Sequence, residues 1–343
     1  MSNTSETVFT GLVDLLAQQL GGRALACSDD FFAEMGNLVK PGRGVFLPDE
    51  YTDRGKWMDG WESRRRRGGA DHDWCILKLG VPGKVRALDI DTNHFLGNHP
   101  PYAALDAVFA PDASLEDLQN AEWNEILPQS PLKPGSQNIF VAPSDEPISH
   151  VRLRIFPDGG VARLRVWGDV VTDWKLTEDR EDTIVMVQPN EVDLVSLRNG
   201  GRALACSDMF FSPMENLILP GSAANMGGGW ETRRKRTPGH DWMILQLGAR
   251  GTLTMAVLDT QYFKGNFPES ASLEGIDAPG ARITDLINSE DWVEIIPRTK
   301  MESHKRFHFR DELKSAGPIT HVRVNTFPDG GLSRMRLYGI REE

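Results

Sequence analysis

Two segments of this chain collect side chains able to move protons and hold anions: GWESRRRRGGADHDW at 60–74 and GWETRRKRTPGHDW at 229–242. Glu62, His72 and Asp73 in the first, and Glu231, His240 and Asp241 in the second, are candidates for general acid or base work. Carboxyls and imidazoles suit that role because their surroundings move their pKa values toward neutrality. Arg64, Arg65, Arg233 and Arg234 are candidates for binding an anionic substrate, since a planar guanidinium pairs with a carboxylate through two hydrogen bonds. For Arg64 and Arg233 the competing reading is an ion pair with a nearby acid such as Glu62 or Glu231. Arg66 and Arg67 read as solvated surface. Neighbours on an extended chain face opposite ways, so His72 and Asp73 are not expected to bond each other. Trp74 and Trp242, each opening an apolar run, are expected in the core.

A second pair of phrases adds to the set. DTNHFLGN at 91–98 returns as DTQYFKGN at 259–266. Asp91 and Asp259 follow apolar strand residues and join the catalytic candidates. Asn98 and Asn266 both donate and accept, which suits an amide or urea group, although Gly-Asn also makes turns. His94 and His99 are replaced by Tyr262 and Phe267 in the second copy, so these histidines cannot be essential to both. Asp158 and Asp329, in FPDGG, read as turn residues. Cys27, Cys75 and Cys206 are too few and scattered for a disulfide framework and read as small buried thiols. No CxxC or HExxH spacing is present, so no standard zinc motif is offered. No cofactor is called for; a divalent metal is left open, because His and carboxylate oxygens are ligand types.

The elements that position these residues are written twice. GGRALACSDDFF at 21–32 returns as GGRALACSDMFF at 200–211, and ISHVRLRIFPDGGVARLRVWG at 148–168 as ITHVRVNTFPDGGLSRMRLYG at 319–339. Order is kept throughout, and the period is far too long for a solenoid. The chain is a duplicated domain, with boundaries expected at 1–19 for an N-terminal segment, 20–169 for the first repeat, 170–190 for an acidic linker and 191–343 for the second repeat. One clear difference separates the copies. Between Gly42 and Trp61 the first carries RGVFLPDEYTDRGKWMDG, where the second has only SAANMGGG between Gly221 and Trp230. Within each copy, HVRLRIF and ARLRVWG alternate apolar and charged residues, the period of a half-buried strand. FPDGG between them predicts a tight hairpin turn. An all-β chain of two antiparallel sandwiches follows.

Composition narrows the function. At 343 residues, 40% hydrophobic and 25% charged, the chain is globular in make-up, and its net charge of −11 argues against a general nucleic-acid surface. Phe9, Leu12, Val13, Leu16 and Leu20 recur near helical spacing and predict a short N-terminal amphipathic helix. The same segment lacks the basic start and long apolar core of a secretory signal, and no apolar stretch is long enough to span a membrane. The expected compartment is the cytoplasm, the expected partner a small molecule rather than nucleic acid or membrane, and the expected state a homo-oligomer.

Taken in order and twice over, DGWESRRR with HDW, DTNHFLGNHP, and FPDGG followed by ARLRVWG resemble the allantoicase family over nearly the whole chain. The resemblance implies two jelly-roll, galactose-binding-like β-sandwich repeats. It also implies hydrolysis of allantoate to ureidoglycolate and urea, a carbon–nitrogen bond cleavage in a linear amidine and a step of purine (allantoin) degradation. The residues fit that substrate: an arginine fork for its carboxylate, Asp and Asn for its ureido groups, and Glu, His or Asp as acid and base. The alternative is a non-catalytic carbohydrate or small-ligand binding module with tandem galactose-binding-like domains. Such modules often use exposed loop aromatics and need no paired acid and base.

Overall fold

The computed structural model describes residues 9, 11–174, 187–188 and 190–342. It divides between Val171 and Thr172 into two units of one architecture. In the first, the long strand Asp73–Asp91 serves both layers of a sandwich. Its first half lies between Arg23–Cys27 and Ile148–Phe156, its second half between Gln137–Val141 and Arg163–Val170. All these pairings are antiparallel. The changeover falls in GVPG, where the register breaks between Lys78 and Gly83 and Pro82 offers the ladder no N–H. Tyr102–Val108 and Asn124–Pro131 extend the first layer. The second unit repeats the plan around Asp241–Asp259, flanked by Arg202–Cys206, Ile319–Phe327, Arg306–Phe309 and Arg334–Arg341. Alternate residues of the long strands, among them Cys75, Leu77 and Leu88, are fully buried between the layers. The fold is all-β, two tandem sandwiches of galactose-binding type.

Three local expectations are corrected. FPDGG does not close a hairpin: Ile148–Phe156 and Arg163–Val170 both pair with the long strand, not with each other. The turn, with a cis Phe156–Pro157 bond, carries the chain from one layer to the other. Period-two alternation reports a half-buried face but says nothing about which strand lies alongside. The described part of the N-terminal segment is not an α-helix. Val13–Asp14 is a short strand on Trp167 and Gly168, followed by a 3-10 turn at Gln18–Leu20. Its apolar residues Leu15, Leu16 and Leu20 are nonetheless buried, so the spacing marked burial rather than helix. Trp74 and Trp242 are half-buried, not core. Trp242 lies against Ile244 and Leu286, the latter from the short helix Ile283–Asn288. The acidic run at 177–183 lies outside the described residues.

Candidate active site

The two repeated phrases that carry chemistry lock together. In the first repeat, Trp61–Glu62 forms a two-residue strand on Gly160–Val161, directly after the Phe156–Gly159 turn. The Ser63 N–H donates to the Gly159 carbonyl (3.2 Å), and Asp158 accepts from the Arg66 N–H (2.7 Å). His72 packs its ring on Phe156 (5.3 Å between centroids). The second repeat does the same: Trp230–Glu231 on Gly331–Leu332, Asp329 accepting from the Lys235 N–H (2.7 Å), His240 on Phe327 (4.5 Å). The arginine-rich phrase recurs because it must wrap this turn. Alternation along the short strand sends Trp61 and Trp230 fully into the core and leaves Glu62 and Glu231 on the other side.

There each glutamate meets an asparagine. Asn98 Nδ2 donates to Glu62 Oε1 (2.7 Å), and Asn266 Nδ2 donates to Glu231 Oε1. The glycines of FPDGG make this approach possible. The Gly160 N–H donates to the Asn98 carbonyl (2.8 Å), and a Cβ on Gly159 would come within 2.6 Å of that oxygen. Burial pushes the Glu62 carboxyl above its ordinary pKa, and the Asn98 donor pulls partly against it. A carboxyl raised in this way keeps its proton to higher pH than a free one, which suits it to proton exchange.

The arginines divide by role. Arg64 donates through its backbone N–H (2.8 Å) and Nε (2.7 Å) to Asp29, and its guanidinium stands over Phe31. Arg233 repeats this on Asp208 and Phe210. Burial opposes the charge on Asp29 and Asp208, but these bonds outweigh it and hold both carboxyls below the usual range. The acid that pairs with Arg64 or Arg233 is therefore not the adjacent glutamate. Asp29 and Asp208 sit in the repeated GGRALACSD phrase, whose recurrence was a usable signal. Arg66 is not solvated surface: it bonds buried Asp73 (2.6 Å), as Lys235 bonds Asp241 (2.8 Å). Arg65, Arg67, Arg234 and Arg236 are exposed and have no side-chain partner among the described residues.

The remaining candidates are already engaged. Asp73 and Asp241 also accept from Ser28 (2.8 Å) and Ser207 (2.9 Å). Asp91 is buried against Arg43 (2.8 Å) and Asp259 against Arg306 (3.0 Å). Those two arginines come from non-equivalent segments, so the same buried carboxylate is neutralised by different means in each copy, with no phrase to betray it. His72 bonds Asp71 (2.6 Å), not Asp73, and His240 Nε2 lies 3.1 Å from Asn325 Oδ1. Neither imidazole touches its repeat's glutamate; the FPDGG turn separates them. The structure thus joins Glu62 with Asn98 and Glu231 with Asn266, while His72, His240 and the aspartates stand around these pairs rather than in them.

Cys27 and Cys206 are only half-buried, but burial and neighbouring carboxylates push both thiols up to about 11, so neither is a ready nucleophile. Among the described residues no group of three or more His, Cys, Asp or Glu is placed to hold a metal ion. In the second repeat an open pocket of about 490 Å³ is lined by Gly265 and Phe267, the chain neighbours of Asn266, with Lys300, Met301 and Pro328.

The allantoicase repeat model matches residues 13–171 and again 192–342. Among similar proteins, a probable allantoicase of Pseudomonas aeruginosa is 44% identical over 338 residues, 98% of each chain. One from Photobacterium profundum is 44% identical over 337 residues, again 98% of each. The crystal structure of allantoicase from Saccharomyces cerevisiae superposes with a TM-score of 0.78 at 32% identity, covering 96% of this chain and 93% of that one. A second allantoicase structure gives 0.80 at 31% identity, covering 97% and 94%. With both repeats matched and the chain covered almost end to end, this protein belongs to the allantoicase family of hydrolases.

Proposed function

We propose that the chain hydrolyses allantoate to ureidoglycolate and urea, with the Glu62–Asn98 pair as its proton-transfer centre. The observation that carries this reading is that contact: a carboxyl with an upward-shifted pKa, held by an amide, three positions before an arginine with no side-chain partner among the described residues. Allantoate bears one carboxylate and two ureido groups on a single carbon. Arg65 offers the carboxylate a free planar fork, in place of Arg64, whose guanidinium is tied to Asp29. Asn98, with its Nδ2 directed to Glu62, keeps its side-chain Oδ1 for a ureido N–H.

Glu62 acts as the base. It takes a proton either from the attacking water or from the ureido nitrogen that stays behind. The bond from the central carbon to the other ureido nitrogen breaks, the electron pair leaves with that nitrogen, and a proton delivered there completes urea. In the second case water adds afterwards to the carbon–nitrogen double bond. Glu62, protonated in the first step, returns that proton to the leaving nitrogen, since the FPDGG turn separates His72 from it. Asp73, Asp91, Asp241 and Asp259 hold the frame through ion pairs, and Glu231, Asn266, Arg234 and His240 form the second repeat's counterpart. The binding-module alternative would rely on exposed loop aromatics, yet Phe31 and Phe210 already carry guanidinium groups over their rings. The expected compartment is the cytoplasm and the expected state a homo-oligomer. Purified protein incubated with allantoate should release urea and ureidoglycolate in equal amounts; binding without urea release would leave the module reading standing.

A further inference from the structure

The two Glu–Asn pairs are not equivalent, and the difference traces to the unequal segments before Trp61 and Trp230. In the second repeat the short segment makes a single 3-10 turn, Met226–Gly228. This turn is pinned by its carbonyls. Asn216 Nδ2 donates to Gly227 (3.2 Å) and Gly229 (3.1 Å), and Arg334 Nη1 donates to Gly228 (2.6 Å). Pinned so, it lays Met226 on the pair, with Sδ 3.0 Å from Asn266 Nδ2. The amide then spends one N–H on Glu231 and directs the other at sulfur. Glu231 is buried, and neither it nor Asn266 lines the neighbouring pocket.

The first repeat keeps two of these pins, Asn37 Nδ2 donating to the Gly60 carbonyl (2.9 Å) and Arg163 Nη1 to that of Asp59 (3.1 Å), but the longer segment before them is drawn elsewhere. Arg43 bonds Asp91, Phe46 stacks on His94 (5.5 Å), and Asp59 turns inward to Arg163 (2.7 Å). Asn98 donates to Glu62 alone among the described residues, and Glu62 stays half-buried rather than closed over. The exposed side chain of Met226 contributes little to the core, so its position over the pair has no evident packing purpose.

We propose that only the first repeat turns over substrate, and that Met226 is the stopper that closes the Glu231–Asn266 pair of the second. The proposal rests on the reading of the Glu–Asn pair as the proton-transfer centre. Urea release from allantoate is measured for the full-length wild type, Glu62→Gln, and Glu62→Gln combined with Met226→Ala. Wild-type chain that releases no urea sinks the functional reading itself. Given an active wild type, Glu62→Gln should lose at least about 100-fold in kcat, the usual contribution of a general base. Adding Met226→Ala should restore at least tenfold of that loss by opening the second pair, and a further Glu231→Gln should remove the gain. Half of the wild-type rate surviving in Glu62→Gln would show two working sites and overturn the proposal. A deep loss with no recovery on Met226→Ala would overturn the role given to Met226. Should Glu62→Gln fail to fold, Asn98→Leu, which removes the amide that holds Glu62, is read by the same criteria.

Discussion

Glu62 sits between opposed effects: burial raises its pKa and the Asn98 donor lowers it. A base works only when deprotonated, so activity falls as pH drops through that value. Asn98→Ala removes the lowering influence, and the acidic limb of the kcat/KM profile should move to higher pH. An unmoved limb, or one displaced downward, would contradict the pairing as a functional contact. Arg65 gives a second test. A charge-assisted hydrogen bond is worth about 1.5–3 kcal/mol, so Arg65→Ala should cost roughly 10- to 150-fold in kcat/KM. Melting temperature should stay put, because Arg65 is exposed and its side chain bonds no other group among the described residues. Unchanged kinetics would place the carboxylate elsewhere. Glu62, Asn98 and the arginines were all legible from residue type and recurrence. What was not legible was which arginine is free, because the carboxylate that ties Arg64 lies 35 positions away in a phrase noticed for its cysteine.

The FPDGG turn shows how far pattern reasoning reaches into an element. Its recurrence and its turn residues were plain in the sequence, but its purpose was not a hairpin. It is the platform on which the Trp-Glu strand, the arginine loop and the Asn98 loop meet. Phe95 is fully buried in that junction, and a Cβ on Gly160 would lie 2.0 Å from its ring. Overpacking of this kind typically costs about 1–3 kcal/mol, so Gly160→Ala should lower the denaturation midpoint by that equivalent with an unchanged denaturant slope. Gly97, in the same region, has open space where a Cβ would go, and Gly97→Ala should stay within about 0.5 kcal/mol of the wild type. Equal effects at the two glycines would contradict the platform. The N-terminal segment makes the complementary point. Leu16 and Leu20 signalled burial correctly, yet a neighbouring strand end, Trp167 and Gly168, captured Val13–Asp14 and prevented a helix.

Both units share one further feature that acts on the stability of the chain. His150 and His321 are buried at matching places in the two repeats, and burial, first of all, lowers both pKa values, that of His150 to about 4. An unfolded histidine titrates near 6.5, so between about 6.5 and 4 the unfolded chain binds protons that the folded chain refuses. Stability should therefore be full above about pH 6.5 and fall on acidification, by roughly 2 kcal/mol at pH 5 from His150 alone. The depressed carboxyls Asp29 and Asp208 lose their contribution only at lower pH, whereas Glu62 and Glu215, whose carboxyls burial raises, take up protons on folding and offset part of the fall. Denaturation midpoints at pH 7.5 and pH 5 check it: no fall, or a rise, would be contrary. The duplication, the all-β class and the family were legible in the chain because they rest on long recurring phrases. The inequality of the repeats was visible only as a length difference, since a methionine laid over a Glu–Asn pair by a short turn has no sequence signature of its own. The claim on which the account depends most is that Glu62 moves the proton. Urea release from allantoate, compared between wild type and Glu62→Gln, tests it most directly. A loss of about 100- to 10,000-fold in kcat with an unchanged melting temperature is expected of a general base; a Glu62→Gln rate within threefold of wild type would contradict it.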